Sequence, residues 1–431
     1  MIYYFQIKIN KNIGSGTLFN SVCLFSDECT TIPATFWDHV VDPNGLDIRF
    51  YDSDWTTELK REIVLFDVSG HKVEAHVQIS ARDVSVDKLI WCHYGEAVVA
   101  NSTDIWTDIA AVSIWKLNGN GNDALGRNDA SAVGNPVSVI GKFGGGFLFD
   151  GGDYFNAGYG ASLYLTTNGT VSAWIKISAS GGGGVIVSKQ AFSSYRRGGY
   201  SLYVENSVLK MAIGDSNGSQ IATGLTNLAD GHWHYVVGTW DVDWIRVYVD
   251  GVLDGPAELN TELSEPEALP LYIGRGYYDL NFDFVGIINE VRVFSGTLSY
   301  AMIASEYANQ NDPDTFLTCG LEHAGMIYAD YSFAPAGGIN QQLFVFTNAS
   351  DSVHGITSHL WNFGDGTGSS EENPSKLFGP GRHSITLTVT GPDGTASISK
   401  DVIVYGADLS YVPDSGPVPL SVRFNSELTL P

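Results

Sequence analysis

A few short stretches of the chain carry residue types that can do chemistry. Gly214-Asp215-Ser216-Asn217-Gly218 has the G-x-S-x-G spacing of a nucleophilic serine. That nucleophile works at the apex of a strand-to-helix turn, whereas here the pentapeptide joins two alternating apolar runs, so it reads as a hairpin turn. Gly119-Asn-Gly-Asn-Asp-Ala124 has the spacing of a dinucleotide fingerprint, but no βαβ unit surrounds it and it too reads as a turn. His232 and His234 share one strand face, with no further His or Cys nearby to complete a zinc set. What remains is binding chemistry. Tyr195, Tyr277, Tyr278, Phe282 and Phe284, with Arg196, Arg197, Arg275 and Asp283 among them, fall on predicted loops. Rings on loops stack on sugar faces or dock a protein while Asp and Arg take polar groups; the bland alternative is packing over the core. The candidate ligand-binding set is Tyr195, Arg197, Arg275, Tyr277, Tyr278, Phe282 and Asp283.

The elements that must position such residues are strands. Of the 431 residues, 49 are Gly, and Tyr, Phe and Trp number 21, 21 and 10, a composition that suits an all-β chain with many tight turns. With 48 acidic against 23 basic residues the formal net charge is −25, which disfavours nucleic acid as a partner, and no basic patch offsets it. No apolar run is long enough for a membrane span, so no membrane insertion is expected. Cys23, Cys29, Cys92 and Cys319 are too scattered for a disulfide framework. They read as buried thiols, with Cys23 and Cys29 able to close a small loop.

Alternating runs such as YYFQIKI, REIVLFDV and KLIWCHYG predict a small β-sandwich over 1–97. Residues 98–109 lack a pattern and read as a linker. Ten longer, aromatic-rich runs over 110–316 predict two large antiparallel sheets face to face. The glycine run from Gly181 to Gly184 is expected to give a mobile loop. One helix competes: Ser299 to Gln310 places Met302, Ile303, Glu306 and Tyr307 at helical spacing, and Asn-Asp-Pro at 311–313 ends it. A third sandwich is predicted over 325–405, and 406–431 restarts its pattern as a partial repeat that stops after two strands.

The third region resembles the polycystic kidney disease (PKD) module, an immunoglobulin-like sandwich. The likeness rests on Trp361-Asn362-Phe363-Gly364-Asp365-Gly366, Asn373-Pro374, Pro380-Gly381 and the run from Ile385 to Val389. Trp361 is expected between the sheets and Asp365 in the turn that follows. The second region is similar to the concanavalin A-like, laminin G-like jelly roll, through the stretches Gly141 to Gly151, Val171 to Trp174, Asp230 to Trp240, Val247 to Gly251 and Gly286 to Phe294. The first resembles, more loosely, domain of unknown function 2341, through Phe36-Trp37, Gly45 to Phe50, Leu59 to Phe66 and Ile90 to Gly95.

The jelly-roll resemblance implies a structural Ca²⁺, with Asp150, Asp153 and Glu290 as its ligands and Asp123 as a further contributor. Glycosidases on this fold need two carboxylates facing one cleft, usually as E-x-D-x-x-E, and no such run occurs, so a non-enzymatic binder is expected. The partners are then a host-surface glycan or polysaccharide, other virion subunits and a possible second copy of the chain. The modules are typical of extracellular proteins, yet the chain starts at a strand without an export signal, a combination that fits a phage virion surface or appendage protein. The alternatives are a secreted or cell-surface adhesin, the carbohydrate-binding part of a glycoside hydrolase, and a purely structural virion protein.

Overall fold

The computed structural model describes residues 2–11, 17–55, 57–95, 97–102, 104–189, 199–214, 219–260, 269–276, 282–324, 327–335, 338–339, 341–352, 356–391, 394–413 and 422–429. The architecture is all-β, with sheets packed as sandwiches and little helix. It divides into two compact units, Phe5–Glu322 and Met1–Tyr4 with His323–Pro431.

In the larger unit, the alternating runs near the N terminus form two facing sheets. One orders Leu317–Cys319, Tyr3–Ile9, Lys88–Tyr94, Arg49–Asp52 and Glu58–Leu59; the other orders Thr17–Ser26, Lys72–Asp83 and Arg61–Asp67. Their shared core is aromatic. A single turn, α1 (Phe36–His39), delivers Phe36 edge-on to Tyr94 at 4.9 Å and to Phe5 at 5.8 Å, geometries that aromatic quadrupoles favour. Strand Leu317–Cys319 returns from beyond the jelly roll to lie on the first strand, Ile9 opposite Leu317 and Ile7 opposite Cys319. The first sandwich is therefore completed by residues far along the chain.

Residues 98–109 are not a free linker. The buried Arg61 guanidinium donates to the carbonyls of Leu46, Ile48, Val99 and Ala100 and to Asn101 Oδ1, and Trp106 is buried. Five donors in a rigid fork suit this wrapping, which a polar stretch does not announce in sequence.

The jelly roll follows as two antiparallel sheets of nine and seven strands. The nine-stranded sheet runs Val137–Ile140, Gly145–Asp150, Val285–Phe294, Gly169–Lys176, Trp233–Trp240, Trp244–Val249 and Val252–Leu253, with two short strands beside this path. Alternation sends Val171, Ala173 and Ile175 into the core between the sheets and Trp174 to the outer face. The glycine run, expected to form a loop, is stitched into the fold. Gly183 and Val285 exchange backbone hydrogen bonds of 3.1 and 2.7 Å, and a Cβ on Gly184 would sit 2.5 Å from the Asp283 carbonyl. Here glycine permits close backbone approach.

The outer face of the nine-stranded sheet is covered by α2 (Tyr300–Asn311), which forms where the sequence predicts it. Ser299 caps it by accepting from Met302 N, a contact worth about 1 kcal/mol. Met302, Ile303, Glu306, Asn309 and Gln310 are buried. Trp174 Nε1 donates to Gln310 Oε1 at 2.6 Å, and Tyr235 Oη donates to Glu306 Oε2 at 2.6 Å. On the side of the first sandwich, Asn309 both accepts from Leu24 N (2.6 Å) and donates to Leu24 O (2.9 Å). The polar face of Lys72–Asp83, with Glu74, His76, Gln78 and Arg82, is buried rather than solvated. Gln78 donates to the Ile105 carbonyl, and Arg82 to Ser305 Oγ at 3.0 Å.

In the smaller unit Trp361 is buried between sheets, with Tyr331 edge-on at 4.9 Å. Asp365 accepts from Thr367 N at 3.0 Å and pairs with Lys376 at 2.9 Å, so its role is the turn. The partial repeat does not restart after a break: one strand, Gly394–Pro413, runs through position 405 and pairs with Val422–Thr429.

Candidate functional site

Of the predicted rim, Tyr195, Arg197, Tyr277 and Tyr278 lie outside the described residues. The other three are brought together but face inward or pair with one another. Arg275 sits 4.6 Å over the Tyr154 ring and 3.7 Å from Asp283. Phe282 packs edge-on against Tyr203 at 5.5 Å beside Val185 and Ala212. These contacts are loop packing, the bland alternative stated above.

The four acids assigned to calcium do not converge, and the residues present do not fit such a site. Asp150 is opposite Val285, so Glu290 begins five residues further along the same strand, roughly 17 Å away. Glu290 adopts φ 53° at a bulge where the register with Gly169–Lys176 shifts between Ser172 and Trp174. Its carboxylate pairs with Arg292 Nη2, 2.9 Å away and buried. Asp123 accepts from the backbone N–H groups of Ile114, Leu125, Arg127 and Asn128, which occupies both its oxygens. Asp153 accepts from Asn135 N at 2.5 Å. Among the described residues no group of three or more His, Cys, Asp or Glu is placed to hold a metal.

A groove of about 460 Å³ opens elsewhere, along the uncovered side of α2. Tyr300, Ala304, Tyr307, Ala308 and Asn311 line one wall, spaced along one helical face, and Asp250, Gly251 and Val252 line the other. Lys11 and a short helix α3 (Pro313–Phe316), capped by Asp312, close it. The hairpin must come close. Gly251 has φ 78°, and a Cβ there would lie 3.0 Å from Tyr307 Cβ. Behind the groove, Tyr307 stacks on Trp174 with centroids 6.0 Å apart at 26°, while Tyr300 is 43% exposed.

The hairpin's acid is held in place by histidine. His234 Nδ1 is 2.8 Å from Asp250 and Nε2 3.2 Å from Asp230, and the bond to Asp250 raises the His234 pKa above the ordinary value against the opposing effect of burial. Asp250 also accepts from Tyr235 N, and Asp312 accepts from Thr315 N and Oγ1. The groove thus offers two tyrosine rings and an apolar floor, rimmed by carboxylates, an amide and one ammonium. That is the chemistry of a pyranose face and its hydroxyls. Sequence reasoning missed it, although one signal was present: the solvent side of this helix carries Tyr, Ala, Tyr, Ala and Asn where a solvated face would be charged.

A second cleft, of about 430 Å³, is lined by Ser26 to Glu28, Leu65, Lys72 to Glu74 and Ile140 to Gly144. Glu74 is only 6% exposed, and burial, with Glu290 adding to it, pushes its carboxyl up to about 8.

Residues 149–304 match the family model for the concanavalin A-like lectin/glucanases superfamily, and residues 336–404 match a PKD domain model. The chain therefore carries both kinds of domain, and the first sandwich lies outside both matched stretches. A stretch of 75 residues is 38% identical to collagenase ColA of Bacillus cereus, covering 17% of this chain and 8% of the collagenase. Solved structures give loose likenesses with TM-scores below 0.5. Domain 4 of AbnA, a GH43 extracellular arabinanase from Geobacillus stearothermophilus in complex with arabinotriose, is 16% identical, with a TM-score of 0.38 over 46% of this chain and 98% of that one. The botulinum neurotoxin serotype D ligand-binding domain in complex with N-acetylneuraminic acid is 16% identical, with a TM-score of 0.40 over 76% and 81%.

Proposed function

We propose that the chain is a non-enzymatic glycan-binding protein of the cell exterior, secreted or surface-attached, whose ligand lies in the groove along α2. The observation that carries this reading is the groove's lining: Tyr300 and Tyr307 on one helical face, opposed by the Asp250-Gly251 hairpin and edged by Asn311, Asp312 and Lys11. The concanavalin A-like lectin/glucanase match supports it. The pairing of a lectin-type with a PKD domain, modules typical of extracellular proteins, supports the exterior placement. A glycan array on the full chain tests it. Binding lost in Tyr300→Ala/Tyr307→Ala is expected, and an array without hits, or hits indifferent to that change, overturns it.

One observation favours a second reading, a glycan-cleaving chain. Burial raises the Glu74 carboxyl in a cleft that Asp27, paired with Lys72 at 2.7 Å, also lines, and two carboxyls facing one cleft, one of them held protonated, are what glycoside hydrolysis uses. Polysaccharide turnover abolished by Glu74→Gln would replace the binding-only reading with this one.

A further inference from the structure

We infer that Cys29 and Cys319 are a disulfide-forming pair, a covalent clasp between the loop after strand Thr17–Ser26 and the strand that returns from the jelly roll to complete the first sandwich. The two sulfurs lie 3.8 Å apart, with Cys29 1% and Cys319 8% exposed. A disulfide needs them at about 2.0 Å, and the backbone around them is already fixed. Cys319 N donates to Thr31 Oγ1 at 2.8 Å. Thr30 N and Oγ1 donate to the two oxygens of Asp314 at 2.5 and 2.9 Å. Cys319 itself stands opposite Ile7 in the sheet. Closing the bond requires side-chain rotation that brings the two sulfurs together from 3.8 Å.

The two thiols also differ in the way exchange chemistry requires. The hydrogen bond from Cys319 lowers Cys29 to about 7 in spite of burial, so its thiolate is populated at neutral pH. The same contact, with burial, raises Cys319. Burial pushes Cys23 up to about 11 and Cys92 well above the ordinary value, which leaves them as inert core thiols.

The oxidant is a small disulfide of the glutathione type. The Cys29 thiolate attacks one of its sulfurs, the oxidant's S–S bond breaks, and one thiolate leaves. Cys319 then gives up its proton and attacks the Cys29 sulfur of the mixed disulfide, expelling the second thiolate. Two protons and two electrons have left the pair, and the oxidant has become two thiols. Entry is provided by Leu317–Cys319, a three-residue strand at the outer end of the path of its sheet, which frays more readily than a central strand. The bond would suit life outside the cell, where disulfides persist, but it does not depend on the glycan reading.

The test is oxidation of the full chain with oxidised glutathione, in the wild type and in Cys23→Ala/Cys92→Ala, followed by peptide mapping without reductant. A Cys29–Cys319 linked peptide in both, loss of two free thiols, and a rise in Tm of several degrees that dithiothreitol reverses are expected. In Cys319→Ser the resolving thiol is gone, so a lasting glutathione adduct on Cys29 is expected. Four thiols that still alkylate after refolding in the oxidant, or linkage through Cys23 or Cys92, overturns the inference.

Discussion

Glu290 and Arg292, two residues apart on one strand, point to the same side and pair at 2.9 Å out of reach of water. Period-2 alternation puts both on one face, opposite the core residues Val291 and Val293. Arg292 also reaches Glu306 of α2 at 3.6 Å and lies 5.1 Å over the Trp106 ring. One cation thus serves two buried carboxylates, and the Glu290 and Glu306 carboxylates raise the Arg292 pKa further in spite of burial.

Arg292→Ala should therefore destabilise the larger unit by about 3–5 kcal/mol, because it strands two buried negative charges. Urea denaturation followed by tryptophan fluorescence measures it. Adding Glu290→Gln and Glu306→Gln should recover part of the loss, and equal instability with or without them would show that lost packing, not charge, dominates.

Glu74 predicts a pH dependence. Its carboxyl holds a proton to about pH 8 when folded, against an ordinary value of 4.5. Between these limits the folded chain binds more protons than the unfolded one, so this group's contribution to stability falls as pH rises and levels off above about 8. Nearby Glu62, paired with Lys116 at 2.7 Å and accepting from Trp106 Nε1, is shifted the other way in spite of burial, and its contribution is lost on acidification. Glu74→Gln should flatten the alkaline limb and stabilise the chain at about pH 8 by up to about 4 kcal/mol. Thermal melts across a pH series check the slope.

In the groove, Tyr300→Ala should weaken glycan binding roughly tenfold, equivalent to about 1.4 kcal/mol, while leaving Tm almost unchanged. Gly251→Ala acts indirectly. With φ 78° and a Cβ 3.0 Å from Tyr307, it strains the hairpin by about 1 kcal/mol and displaces the ring, so both affinity and Tm should drop. Calorimetry on the two variants separates the roles.

The PKD domain offers an independent check. Tyr331 Oη donates to the Ile385 carbonyl at 2.6 Å and accepts from Lys400 N at 2.9 Å. Tyr331→Phe leaves these backbone groups short of a partner, at a cost of about 1–2 kcal/mol. Amide exchange in Gly381–Gly391 should accelerate by roughly 5- to 30-fold if opening governs it.

Local signals in the sequence were enough for the sandwiches, for α2 with its Ser299 cap, and for Trp361 and Asp365, because alternation, capping and turn chemistry act over a few residues. The junction is different. Period-2 alternation marks Glu74, His76, Gln78 and Arg82 as a solvent face, and only the packing of α2 and residues 98–109 against that sheet reverses this. The four acids named for calcium lie on separate elements, Asp150 opposite Val285 and Asp123 bonded to its own turn, a separation that no local pattern in the sequence reveals. The groove was half visible, as the helix over Ser299 to Gln310, but nothing local places residues fifty positions apart face to face. The thiol pair, 290 positions apart, was hidden for the same reason.

The Asn309 amide bonded to both backbone groups of Leu24 bears on how such proteins are assembled from cassettes. A gene segment encoding only the jelly roll would arrive in a new host chain with a helix seeking an absent strand and ionised groups opened to water. Recombination that preserves function must carry the first two sandwiches together, as one heritable block.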